Sequence, residues 1–185
     1  APDYAEAFYN LGSIFNKQHK FDLALEHYKQ AISLSPDDYE AHLNIGNTFN
    51  ELGKFKEAEK SYRRSATLKP DYAIAYSRLG NILQEQGKFE ESVKSLKRAI
   101  VLDPTNADIH NNLGTTLTKQ GNLDEAVESY KRAIKLKPEG YQVYSNLASA
   151  FKQSGRLEEA LDSCNKAIDL NPDYAEANNN LGAIL

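Results

Sequence analysis

Residues 39–72 read YEAHLNIGNTFNELGKFKEAEKSYRRSATLKPDY, and this stretch decides the fold. Its first half places Ala41, Ile45, Thr48, Phe49 and Leu52 at the spacing of one helix face. Gly53 follows where a left-handed glycine ends a helix. Phe55, Ala58, Tyr62, Ala66 and Leu68 then resume the periodicity, and Pro70 closes the second helix. The stretch reads as a helix–turn–helix hairpin.

The same hairpin recurs in both directions. Six prolines stand at positions 2, 36, 70, 104, 138 and 172, every interval is 34 residues, and there are no others. A fixed period of this length marks a helical repeat array. The repeats run 5–38, 39–72, 73–106, 107–140 and 141–174, with a partial sixth at 175–185. Together they form a single all-α array over 1–185. Gly87, Gly121 and Gly155 share the turn position of Gly53. His19 stands there in repeat one, so that turn either tolerates strain or differs slightly in form. Asp3-x-x-Glu6, Asp37-x-x-Glu40 and Asp173-x-x-Glu176 have the spacing of capping boxes at helix starts. Arg63, Arg64, Lys97, Arg98, Lys131 and Arg132 gather late in the second helices. That placement suits the negative helix end, and a solvated face is the favoured reading.

Composition narrows the function classes. Hydrophobic residues make up 41% of the 185, enough for a stacked core. The net charge of −4 argues against nucleic acid as a partner, since such binders carry a basic face. No apolar run reaches membrane-spanning length. A single cysteine, Cys164, forbids an intramolecular disulfide, and with no signal peptide in view a cytoplasmic placement is favoured. Both ends read as cuts within a longer array. No phosphate loop, Ser-His-Asp set or zinc spacing stands out, so neither catalytic residues, cofactor nor metal site is expected.

The chain resembles the tetratricopeptide repeat family over nearly all its length. The family's large residue early in the first helix matches Phe8, His42, Tyr76, His110 and Tyr144. Its Leu-Gly pair matches Leu11-Gly12, Ile45-Gly46, Leu79-Gly80, Leu113-Gly114 and, altered, Leu147-Ala148. Phe15, Phe49, Leu83, Leu117 and Phe151 follow. The second helix matches at Ala24, Ala58, Ser92, Ala126 and Ala160, then at Tyr28, Tyr62, Leu96, Tyr130 and Cys164. These are packing positions: small residues let paired helices approach and large ones fill the space beside them. His42 and His110 are read as packed aromatic-like side chains rather than metal ligands, and Cys164 as a buried small hydrophobe. The resemblance implies a right-handed superhelical solenoid whose first helices line a concave groove.

It also implies that the residue before each Leu-Gly pair faces that groove. Here that row is Asn10, Asn44, Arg78, Asn112, Asn146 and Asn180. Asparagine is a poor helix former, so its recurrence suggests a compensating role. A carboxamide offers a donor and an acceptor, matching a backbone peptide group. Helices about 10 Å apart and an extended ligand rising about 3.3 Å per residue place one asparagine at about every third ligand residue. Ser13, Asn47, Asn81, Thr115 and Ser149 lie three residues on, as a second row on the same face; Asn16, Asn50, Gln84, Thr118 and Lys152 form a third. The groove is similar to that of the repeat arm of O-linked N-acetylglucosamine transferases.

The expected function is therefore a non-catalytic scaffold that binds an extended peptide or protein segment. The alternatives are a substrate-targeting arm of a larger enzyme of that glycosyltransferase kind, whose catalytic part lies outside this chain, and a self-assembling structural repeat. The last rests on the apolar C-terminal end, Leu181, Ile184 and Leu185, through which two copies can stack. Arg78 is expected to select acidic side chains. A carboxylate clamp for chaperone C-termini matches at Asn44 and Arg78 but fails at Tyr9, Ser13 and Ile74. Replacing the asparagine row with alanine is expected to leave folding nearly untouched.

Overall fold

The structure, a computed structural model, describes residues 2–184, with side chains from Tyr4 onward. The Asp3 side chain of the first capping box, and Leu185 of the apolar end, lie outside the described residues. Among them there are eleven helices and no strand. These fall into two compact units, Ala1–Lys88 and Phe89–Leu185.

The first unit holds α1 (Pro2–Lys17), α2 (Phe21–Leu34), α3 (Tyr39–Glu51), α4 (Phe55–Leu68) and α5 (Ala73–Glu85). Here α1 pairs with α2 and α3 with α4, while α2 also packs on α3 and α4 on α5. The second unit holds α6 (Phe89–Leu102), α7 (Ala107–Gln120), α8 (Leu123–Leu136), α9 (Tyr141–Gln153), α10 (Leu157–Leu170) and α11 (Ala175–Gly182). In it α7 pairs with α8 and α9 with α10; α11 rests on α10 and α9. Tyr39, Ala73, Ala107, Tyr141 and Ala175 open first helices, as the period requires. Only α1 differs, starting at Pro2 rather than Ala5, because proline is tolerated in a first helical turn.

Every hairpin turn has one form. In repeat two, Lys54 N–H donates to Phe49 O (2.9 Å) and Gly53 N–H to Asn50 O (2.9 Å), the paired bonds of a Schellman motif. The same pair recurs at Lys20 and His19, Lys88 and Gly87, Asn122 and Gly121, and Arg156 and Gly155. The central residue is left-handed at all five, with φ 58° at His19 against 69° to 87° at the glycines. His19 thus keeps the common turn and bears the strain of a β-carbon there.

The hairpins of repeats one, two and four close on a tyrosine against a glycine. Tyr28, Tyr62 and Tyr130 are buried, and a β-carbon added at Gly12, Gly46 or Gly114 would sit 2.6 Å from the facing ring. In repeat five the same 16-residue separation joins Ala148 to Cys164, both fully buried: the larger small residue accompanies the smaller large one.

Three sequence expectations require correction. The cap of α3 is Asp38, whose carboxylate accepts from Glu40 N (3.0 Å) and Ala41 N (2.9 Å), not Asp37, which pairs with Arg64 (3.1 Å). Helix α11 is preceded by Tyr174, with no side-chain cap from Asp173. Asn106 caps α7 in the way Asp38 caps α3. The loop after each proline from Pro36 to Pro172 is one residue longer than the capping-box spacing implies. The late basic residues of the second helices stand more than a turn from the helix ends, beyond the reach of the terminal dipole, and among those helices only α8 has a basic residue, Lys135, in its last turn. Arg63, Arg64, Lys97 and Lys131 pair instead with Glu59, Asp37, Glu125 and Glu128.

The histidines also gain a definite role. His42 Nε2 lies 3.1 Å from Pro36 O, and His110 Nε2 lies 3.2 Å from Pro104 O. Asn178 holds the same slot and donates to Pro172 O (3.1 Å). Each ties its helix to the preceding proline loop, a carbonyl no helix would satisfy.

Candidate peptide-binding face

The first helices of each compact unit carry the polar rows. In the first unit Asn10 and Arg78 are exposed and Asn44 is half-buried. Asn44 Nδ2 donates to the Tyr9 hydroxyl (2.8 Å), 35 residues back on α1. In the second unit Asn146 Nδ2 donates to Asn111 Oδ1 (3.0 Å), and Asn180 Nδ2 to Ser145 Oγ (3.1 Å) and O (3.3 Å), each again 35 residues back. Three of the six row positions, Asn44, Asn146 and Asn180, therefore tie neighbouring first helices together, a role hidden from single-helix periodicity. Arg78 fits the rule by exception: 35 residues before it stands Leu43, which offers no side-chain acceptor.

The second row is committed in part to the core. Ser13 Oγ lies 3.2 Å from the Tyr28 hydroxyl, the Tyr62 hydroxyl donates to Asn47 Oδ1 (2.9 Å), and that of Tyr130 to Thr115 Oγ1 (3.3 Å). A buried phenol needs such a partner. Where the tyrosine becomes Cys164, Ser149 is released and accepts only from Gln153 Nε2 (3.4 Å). Where it becomes Leu96, Asn81 stands half-buried with no hydrogen bond among the described residues. Burial pushes the Tyr62 and Tyr130 phenols above their ordinary value, so both keep their protons at neutral pH.

What remains for a ligand can be read residue by residue. The side chains of Asn10, Arg78 and Asn112 make no hydrogen bond among the described residues. The amide oxygens of Asn146 and Asn180 are uncommitted, whereas that of Asn44 accepts from Asn47 Nδ2 (3.3 Å). The face thus offers acceptor oxygens at Asn10, Asn112, Asn146 and Asn180 and free donors at Asn10, Arg78 and Asn112. Beside Asn10 lies a cleft of about 550 Å³ lined by Tyr9, Glu6, Asp38 and Glu40. Burial, with the Glu40 and Asp38 carboxylates close by, pushes the Tyr9 phenol up and holds its proton. Its acidic lining favours neutral or cationic groups.

Among the described residues no cluster of three or more His, Cys, Asp or Glu side chains could hold a metal, and no helix is long and apolar enough to cross a membrane. Cys164 is buried, and that burial pushes its thiol up, away from the reactive thiolate.

Paired helices closed by a Tyr–Gly contact and joined by identical turns define a tetratricopeptide-repeat protein. More particularly, the chain belongs to the family of the cilia and flagella-associated protein 70 C-terminal domain, whose model matches residues 2–183. No curated protein matches it. Among solved structures it is similar to a MamA protein, at 26% identity over 95% of this chain and 96% of that one, with a TM-score of 0.85. It is similar also to TTC0263, a thermophilic tetratricopeptide-repeat protein of Thermus thermophilus, at 25% identity over 97% and 98%, TM-score 0.72. YrrB, described as having an unusual peptide-binding site, shares the fold at 22% identity over 93% and 89%, TM-score 0.81.

Proposed function

We propose that this chain is a non-catalytic interaction module and that the first-helix face of each compact unit binds an extended polypeptide. The observation that carries this reading is the row itself: polar side chains at one register, several with unspent hydrogen-bonding capacity. Backbone N–H groups of an extended ligand meet the amide oxygens of Asn10, Asn112, Asn146 and Asn180, and Asn81, Thr115 and Ser149 flank them. Asn44, Asn47 and Ser13 act mainly by holding the face in shape. Recognition through backbone groups places little demand on ligand sequence, while Arg78 adds a preference for an acidic side chain.

Asn10 and Asn112 give the cleanest test, because neither is bonded within its own unit. Peptides selected from a random display library are titrated against wild type, Asn10→Ala and Asn112→Ala by fluorescence anisotropy. A hydrogen bond worth about 1 kcal/mol corresponds to about a fivefold loss of affinity for peptides on the unit concerned. Arg78→Ala lowers affinity for acidic peptides and leaves neutral ones unchanged. Unaltered affinities in all three variants, with helicity intact, would remove the face as a binding site.

A further inference from the structure

Two tyrosine pairs in this chain are alike in geometry and unlike in charge. In the first unit the Tyr39 and Tyr72 rings meet edge-on at 5.0 Å and 77°. In the second unit Tyr141 and Tyr174, three periods of 34 residues further on, meet at 4.9 Å and 72°. The first pair is served by its own chain. Lys69, the residue after α4, places Nζ 4.4 Å from the Tyr39 ring centre and 5.5 Å from that of Tyr72, and donates to the Tyr39 hydroxyl (3.1 Å). The negative faces of the rings hold the ammonium there.

The second pair lacks that ammonium and has a carboxylate beside it. Asn171 stands at the position of Lys69, and Glu176 at that of Ile74. Among the described residues no lysine or arginine lies over the Tyr141 or Tyr174 ring, and the Asn171 side chain makes no hydrogen bond. Glu176 accepts from the Tyr174 hydroxyl. Burial, together with that carboxylate, pushes the Tyr174 phenol up to about 12, so it keeps its proton and goes on donating. Both rings are half-buried and so remain within reach of a ligand. Tyr141 opens α9, and Ser145, one turn on, holds Asn180 (3.1 Å), so the pair stands at the head of the polar row.

We propose that Tyr141, Tyr174 and Glu176 form a subsite for a lysine side chain of the polypeptide bound on the second unit, its ammonium taking the place over the rings that Lys69 holds in the first. This inference rests on the peptide-binding reading above. Two ring faces and one carboxylate attract the same cation, and Asn171 is too short to take that place itself. The internal occupant of the first pair is a lysine, which gives the shape of the group the second pair fits. The first unit offers no such subsite, because Lys69 already fills it, so a basic ligand residue falls on the second.

The test uses a short serine–alanine peptide with one central lysine and its twin with neutral norleucine, each titrated against the full chain by backbone-amide NMR shifts. The norleucine twin reports backbone binding alone. The lysine peptide binds wild type about fivefold more tightly and shifts the amides of Tyr141, Tyr174 and Glu176. Asn171→Lys supplies an internal ammonium, as Lys69 does, and abolishes the preference. Tyr141→Leu abolishes it too, with every charge left in place; circular dichroism confirms helicity in both variants. Equal binding of the twins to wild type, or a lysine preference that survives either substitution, overturns the proposal and leaves the peptide-binding reading standing. Failure of both peptides to bind overturns the two together.

Discussion

Asn10 and Asn44 occupy the same position in successive repeats, and the same substitution should move stability in opposite directions. Asn44→Ala removes the bond from Nδ2 to the Tyr9 hydroxyl (2.8 Å) and the acceptor for Asn47 Nδ2 (3.3 Å). Two such bonds are worth about 2 kcal/mol net. Alanine returns about 0.6 kcal/mol of helix propensity. The variant should therefore lose about 1.5 kcal/mol, a balance of those two terms. Asn10 is exposed and unbonded, so Asn10→Ala should gain about 0.5 kcal/mol from propensity alone. Urea unfolding followed by far-UV circular dichroism measures both, with the slope checked for constancy. Because repeat arrays add intrinsic and nearest-neighbour terms, the loss at Asn44 belongs to the joint between α1 and α3. Equal shifts of the same sign in the two variants would refute the assignment of that bond.

Gly46→Ala should destabilise by about 1 to 3 kcal/mol through the 2.6 Å approach to the Tyr62 ring, and combining it with Tyr62→Cys, which recreates the pairing of repeat five, should cost less than the sum of the singles in a double-mutant cycle. Tyr62→Ala alone should cost about 3 to 5 kcal/mol, read from the shift in denaturation midpoint. Although burial pushes the Glu59 carboxyl up, hydrogen bonds from Lys88 (2.7 Å), Arg63 (2.9 Å) and Gln86 (3.0 Å) outweigh it and hold it below its ordinary value. Its contribution is present above the ordinary glutamate range and lost as pH falls through the lowered value, so Glu59→Gln should destabilise at neutral pH and match wild type in strong acid. His19→Gly relieves a left-handed β-carbon, which outweighs the lost edge contact with Phe21 at 5.7 Å, and should raise stability by up to about 1 kcal/mol in urea unfolding.

The helices, turns and core of this chain were legible because each is a local pattern repeated at one period. Tyr62 against Gly46 follows from a large and a small residue on facing stripes, and Gly53 from the need for positive φ. The ties between repeats were not legible. Asn44 reaches Tyr9 and Asn146 reaches Asn111 across 35 residues, one more than the period, and periodicity within a helix cannot pair them. Read from sequence the asparagine row is wholly available to a ligand, whereas the nitrogen of each tied amide, and the oxygen of Asn44 as well, is spent inside the chain. A capping-box spacing picks out Asp37 in place of Asp38 because it ignores the extra loop residue after proline. The slot shared by His42, His110 and Asn178 looked like packing alone, since a backbone carbonyl leaves no mark in sequence.

Cys164 gives the second compact unit an internal clock. It is the chain's only thiol and fully buried in the seam between α9 and α10. A maleimide or disulfide reagent can reach it only when that seam parts. Its modification rate in native buffer therefore counts openings of this one hairpin, while the rest of the molecule stays silent.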